Sequence, residues 1–175
     1  MSVKDLKKAR HAVSSKGLKI LRKRIKELYP KEDVEGLIPK GVLVEKIHLG
    51  RGDQEVFVVR QKVRFFNFSG DIFPSIYALL DGWGKSLPRV VVDMGAVPHV
   101  VNGADVMAPG VVRIEGEFME GSLVVVVDEN HGQPLAVGTS VFSAEIIEKM
   151  VKNKDKGRVV IILHHTGDLF FKTTC

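Results

Sequence analysis

A chain of 175 residues with 45% apolar side chains can bury one generous core or two small ones. No apolar run approaches the roughly 18–20 residues of a membrane span, the start MSVKDLKKARHAV lacks the apolar centre of a secretion signal, and the single Cys175 excludes an intrachain disulfide or a Cys-built zinc site. The net charge of +5 is uneven, with 18 Lys/Arg against 10 Asp/Glu in residues 1–86 and 8 against 11 in residues 87–175, so a cytoplasmic protein with a basic first half is expected.

The first 26 residues carry 10 basic side chains and one acid, Asp5. Within them begins a segment, SSKGLKILRKRIKELYP (14–30), that reads as a helix. Ser14 or Ser15 can cap it, Leu18, Leu21, Ile25 and Leu28 share one face, and Pro30 ends it. Packing that face leaves Lys16, Lys19, Arg22, Lys23 and Lys26 on the solvent side, with Arg24 toward the flank. Such a ridge is either a phosphate-binding surface or a solvated helix face. Three short β-like runs follow, GVLVEKIHL, EVFVVRQ and KVRFFNF, separated by turn residues, and together they predict a small antiparallel sheet. Pro74 opens a short helix with Ile76, Leu79, Leu80 and Trp83 inward, and GKSLP (84–88) reads as a link.

Beyond Arg89, short strands dominate: RVVVDMG, GVVRIEG, SLVVVVDEN, PLAVGTSVF and RVVIILHH. One helix, SAEIIEKMVKN, interrupts them, with Ser143 as its N-cap and Glu145 in its first turn. So many strands in so few residues predict a closed or nearly closed small barrel. Between the first two strands, VNGADVMA (101–108) reads as a single helical stretch capped by Asn102, with Asp105 near its N-terminus and Pro109-Gly110 as its stop. A purely architectural reading also holds for these residues, with glycines for turns, alanines for close packing and Val106 or Met107 for the core.

NGADVMAPGVV followed by EGSLVVVVDENHGQPLAVGTSVFSAEII resembles the signature of a PUA domain, the RNA-binding module of pseudouridine synthases and archaeosine transglycosylases. FFNFSGDIFPSIYALL, LPRVVVDMGAVPHVVNGADVMAPG and HHTGDLFF extend the resemblance to the two-domain family typified by the malignant T-cell-amplified oncoprotein and the N-terminal half of ligatin, and KARHAVSSKGLKIL is similar to its archaeal members. The resemblance implies an α+β chain: an N-terminal α/β domain (1–87) with a small antiparallel sheet, then a C-terminal PUA-type β pseudobarrel (88–175).

It further implies a surface for structured RNA, tRNA or ribosomal, formed by Gly103, Ala104, Asp105, Met107, Pro109, Gly110 and Val111. Small residues there let an RNA backbone approach the main chain, whereas a carboxylate repels phosphate, so Asp105 is expected to fix a turn or cap. Cations are expected from Arg89, Arg113, Lys152, Lys154, Lys156 and Arg158 or from the ridge at Lys19, Arg22, Lys23 and Lys26, giving salt-dependent binding that reads shape. The implied role is non-catalytic and lies in translation initiation, reinitiation or recycling. A partner like density-regulated protein, carrying an initiation-factor-like domain, is then expected in trans, because the chain ends after the barrel. Two other readings remain: a protein-interaction adaptor, and an RNA-specificity subunit of a tRNA-modifying enzyme.

Residues for catalysis are few. His164 and His165 neighbour each other on a strand and point to opposite faces, so with Asp168 they do not make a ready metal site. His99 and His131 lie beside turns, Asp93 ends a strand, and no Walker-type glycine loop occurs. Arg51-Gly52-Asp53 reads as a hairpin turn and Asn67-Phe68-Ser69 as part of a strand rather than as adhesion or glycosylation signals. No metal or cofactor is expected.

Overall fold

The computed structural model describes residues 10–49 and 54–168, and these divide into two compact units, 10–86 and 87–168. The Arg51-Gly52-Asp53 turn, the end of HHTGDLFF, the first nine residues and Cys175 lie outside the described residues.

In the first unit, a short strand β1 (Arg10–Ala12) precedes helix α1 (Ser15–Leu28). Ser14 caps α1 by accepting a hydrogen bond from the Gly17 N–H at 3.1 Å. Leu21 and Ile25 are buried as the periodicity predicts, but Leu28 is 43% exposed. Its expected place is taken by Tyr29, which leaves the helix at the C-cap and turns its ring inward. There the Tyr29 and Phe65 rings each meet Trp83 edge-on, at 5.2 Å between centroids. The Tyr29 hydroxyl donates to the Ile72 carbonyl at 2.6 Å, and burial, with a smaller push from Asp71, holds its phenol above the ordinary range.

Helix α2 (Val34–Leu37) follows, capped by the Asp33 carboxylate. Strands β2 (Val44–His48), β3 (Glu55–Val59), β4 (Lys62–Phe68) and β5 (Asp71–Pro74) complete a sheet in the order β1-β2-β3-β4-β5, antiparallel throughout. Pro74 thus ends a strand rather than opening a helix, and α3 (Ile76–Leu80) starts behind an N-cap at Ser75. Ala78 takes the inward position predicted for Leu80, which is exposed. Buried Glu32 accepts the N–H groups of Gly84 and Ser86 and the Ser86 hydroxyl at 2.6–2.9 Å, which fixes the segment read as a link.

The second unit contains β6 (Arg89–Val92), α4 (Val97–Val101), β7 (Val106–Met107), a 3-10 turn (Ala108–Gly110), β8 (Val111–Glu115), β9 (Leu123–Asp128), β10 (Pro134–Ser140), α5 (Ala144–Asn153) and β11 (Arg158–His165). Sheet order is β7-β11-β10-β9-β6-β8, antiparallel except for the parallel pair β6/β9. The two edge strands, β7 and β8, are separated in sequence only by Ala108–Gly110. Three residues span at most about 10–11 Å, so the sheet must curl until its edges nearly meet. This is the pseudobarrel expected from the sequence. Val90, Val92, Val106, Val111, Val124, Val126, Ala136 and Val160 fill it, and α5 adds Ile147.

The predicted helix over 101–108 is displaced. The helix is α4, upstream of Asn102, and the residues that follow are a turn, a two-residue strand and the 3-10 turn. Ser143 does precede α5, but its side chain makes no capping hydrogen bond.

The turn between β9 and β10 is held by one carboxylate. Asp128, buried, accepts backbone N–H groups from Asn130 (3.0 Å), His131 (2.6 Å) and Gln133 (2.8 Å). Burial pushes its pKa up, the three hydrogen bonds and His131 pull it down, and the net shift is downward. A lowered folded value stabilises the fold above the unfolded carboxyl pKa of about 3.9 and loses that contribution as pH falls through the folded value. Asp128→Asn is expected to cost about 1–3 kcal/mol at neutral pH, and its gap from the parent in urea midpoint should close as the pH is taken down to about 2.

Candidate nucleic-acid interface

The cleft at the end of the second unit begins where β6 runs out. The Asp93 carboxylate Oδ1 accepts the Ala96 N–H at 2.7 Å, an Asx-type turn that directs the chain into α4, and Pro98 sits in the first helical turn. The Asp93 N–H donates to the Gly110 carbonyl at 3.0 Å and so ties that turn to the 3-10 turn opposite. Gly110 is required by contact: a Cβ there would lie 2.9 Å from the Cβ of Ala96.

Asn102-Gly103 stops α4. The Gly103 N–H reaches the Val100 carbonyl at 2.9 Å and the Ala104 N–H the His99 carbonyl at 3.0 Å, the paired bonds of a Schellman motif. Gly103 has φ +87°, and a Cβ on it would also meet His165 Nε2 at 2.8 Å. His165 in turn places Nδ1 2.8 Å from the Val101 carbonyl. Asp105 does not lie at a helix start. Its Oδ1 accepts the Ile162 N–H at 2.9 Å and its Oδ2 pairs with Arg158 at 3.0 Å, clamping the loop to β11.

The resulting cavity has a volume of about 530 Å³ and is lined by Asp93, Gly95, Ala96, His99, Val100, Ala104, Asp105, Val106, Met107, Pro109 and Gly110. Five residues predicted from the sequence line it: Ala104, Asp105, Met107, Pro109 and Gly110. Gly103 and Val111 do not; the first stops the helix and the second is buried in the core. Arg113 lies elsewhere, bonded to Glu115 at 2.8–3.0 Å and bordering a smaller pocket with Glu148 and Lys152. Gly95, Ala96 and Val100 are not singled out by the sequence, and Asp93 and His99 stand out there only among the groups considered for catalysis. The signal for all five is Pro98 ahead of Asn102-Gly103, a helix start and stop bracketing one short turn of chain.

In the first unit, Lys19, Lys23 and Lys26 are exposed along α1. Lys23 lies 3.7 Å from Glu27, and Lys26 donates to the Pro30 carbonyl at 3.1 Å. Arg22 is not part of the solvent ridge. It is half-buried, and its guanidinium donates to the carbonyls of Ile38 (3.0 Å) and Pro39 (2.7 Å) beyond α2.

The two histidines of β11 have separate partners, His164 Nδ1 meeting the Asp168 carboxylate and His165 the end of α4. Among the described residues, no group of three or more His, Cys, Asp and Glu side chains is placed to share a metal ion, and no helix is long and apolar enough to cross a membrane.

Replacing Gly103 by Ala is expected to lower stability by about 1–2 kcal/mol from the left-handed backbone alone, read as a fall in urea midpoint. Adding His165→Ala should return the part that comes from the ring contact.

The chain matches the Pre-PUA-like domain over residues 3–81 and the PUA domain over residues 88–166. It is 36% identical over 162 residues to an uncharacterized protein of Methanocaldococcus jannaschii, covering 91% of this chain and 93% of that one. With translation machinery-associated protein 20 of Saccharomyces cerevisiae it shares 31% identity over 168 residues, 91% and 90% of the two chains. A hypothetical protein from Pyrococcus horikoshii OT3, solved by crystallography, superposes with a TM-score of 0.75 at 33% identity over 95% of this chain and 99% of that one. With both domains matched in order and relatives aligned along most of their length, the chain belongs to the family of paired Pre-PUA and PUA domain proteins that includes translation machinery-associated protein 20 and malignant T-cell-amplified sequence 1.

Proposed function

We propose that this protein is a non-catalytic RNA-binding factor of the translation machinery, which takes tRNA or the RNA of the small ribosomal subunit during initiation, reinitiation or recycling. The observation that carries the reading is the cleft between α4 and Ala108–Gly110: an open concavity in a PUA domain, walled by small and apolar side chains, where main chain and base can approach closely. The names of the yeast relatives support the translation setting. A partner carrying an initiation-factor-like domain belongs to the same proposal.

Shape-reading cations are assigned to Lys19, Lys23 and Lys26 of α1, which are exposed, and to Arg113, whose pairing with Glu115 is exposed at both ends and therefore weakly held. Arg22 is left out of the binding set because its hydrogen-bonding groups face carbonyls within its own unit. Gly103, Asp105 and Val111 contribute by holding the cleft open.

Two variants test the reading against a titration of tRNA at several salt concentrations. Met107→Glu sets a charge on the lip of the cleft at an exposed position and is expected to weaken binding about tenfold, near 1.4 kcal/mol. Lys19→Glu with Lys23→Glu should lower affinity and flatten the salt dependence by about 0.7–0.9 in log–log slope for each phosphate that is no longer neutralised. Absence of RNA binding at low salt removes the proposal and leaves the adaptor reading.

A further inference from the structure

We infer that Asn102-Gly103 is a deamidation site built into the end of α4, held closed by the helix cap and destroying that cap once it has reacted. Both effects are independent of what the cleft binds.

Deamidation is an attack by the chain on itself. The main-chain nitrogen that follows an asparagine gives up its proton to hydroxide, bonds to the side-chain Cγ and displaces Nδ2, which takes a proton from water and leaves as ammonia. The cyclic imide then adds one water molecule at either carbonyl. It opens to an aspartate, or to an isoaspartate whose main chain runs through Cγ. A side chain on the attacking residue crowds its nitrogen, and glycine leaves it open. The protein has four asparagines, Asn67, Asn102, Asn130 and Asn153, and Asn102 alone precedes a glycine. Asn102 is also exposed, so hydroxide and water reach it.

The cap opposes each part of this reaction. The proton that has to leave, that of the Gly103 N–H, is donated to the Val100 carbonyl at 2.9 Å. The leaving group, Nδ2, donates to the Pro98 carbonyl at 2.8 Å, which holds the side chain back along α4. The Asn102 backbone sits at ψ 6°, whereas ring closure needs the Gly103 nitrogen swung round to the Asn102 side chain. That rotation breaks the bonds of the Gly103 and Ala104 N–H groups together. The reaction therefore runs through an opened end of α4, and its rate follows the population of that open form. A five-residue helix opens at modest cost, so the protection is partial.

The products cannot rebuild the cap. Isoaspartate adds a methylene group to the main chain ahead of Gly103 and carries the Gly103 and Ala104 N–H groups off their carbonyls. Aspartate keeps the chain length, but it turns an acceptor oxygen toward the Pro98 carbonyl in place of a donor and sets a negative charge at the C-terminal end of α4. Either way the cleft wall that carries His99 and Val100 loses its stop.

The test incubates the full chain at mildly alkaline pH, folded in buffer or unfolded in guanidinium chloride, and reads the acid formed at each asparagine by peptide mass spectrometry. In the unfolded chain Asn102 is expected to react well ahead of Asn130 and Asn153. Folding should slow Asn102 by about tenfold, the effect of an opening that costs about 1.4 kcal/mol. Asp93→Ala removes the turn at the other end of α4 and should return part of the rate at Asn102 while leaving Asn153 unchanged. If Asp93→Ala does not fold, the parent in denaturant below its unfolding midpoint reads the same local opening. Asn102→Asp, the direct product, should unfold at a lower denaturant midpoint than the parent. Reaction at Asn102 no faster than at Asn153 in the unfolded chain overturns the site, and equal rates at Asn102 in folded and unfolded chains overturn its protection. An unchanged midpoint in Asn102→Asp overturns the loss of the cap.

Discussion

Three residues, Ala108–Gly110, carry the chain from one edge of a six-stranded sheet to the other, and the second unit is arranged around that constraint. A sheet whose edges must come that close cannot stay open, so it curls around a core made mostly of valines. The join also bends too tightly to be covered by large side chains. Gly110 has to accept the Cβ of Ala96 where its own would stand, and its carbonyl is taken up by the Asp93 N–H. The cleft is what remains between α4 and this join, a consequence of closing the barrel with small residues.

The loop around the cleft is fixed by polar contacts rather than by burial. Asp93 sets the start of α4, the Schellman bonds at Gly103 and Ala104 set its end, His165 accepts the space that Gly103 leaves, and Asp105 fastens the return strand to Arg158 and Ile162. The first three of these satisfy backbone donors or acceptors at the ends of the five-residue helix, while Asp105 serves the Ile162 N–H and Arg158 on β11. A site built this way is largely preformed, which suits recognition of a rigid ligand such as structured RNA because little ordering is left to be done on binding.

In the first unit the packing of one helix gives its basic side chains two different fates. Lys19, Lys23 and Lys26 are exposed on α1 while Leu21 and Ile25 are buried, so the packing that buries one face necessarily displays the other. Arg22, one residue from this ridge, is drawn to the carbonyls of Ile38 and Pro39, whose N-terminal neighbours form a helix too short to satisfy its own end.

Local pattern by itself determined three strands of the first sheet and their antiparallel character, five strands of the second and the long basic helix from Ser14 onward, because alternation and helical spacing are properties of neighbouring residues; it missed the short strands β1, β5 and β7. Motif order added the two-domain family and five of the residues that line the cleft. What local pattern did not decide was which side of Asn102-Gly103 the short helix occupies. AVPHVV is rich in β-branched residues and weak in helix propensity; it becomes helical between the Asp93 turn and the bonds that close after Gly103, and the Asp93 turn is itself tied to the 3-10 turn by the bond from the Asp93 N–H to the Gly110 carbonyl, a contact between residues 17 apart. The partners of Arg22, Asp105 and His165 likewise lie 16 to 64 residues away along the chain. Side chains that reach across such distances answer to packing, and only the tertiary structure decided whether each would meet solvent, backbone or ligand.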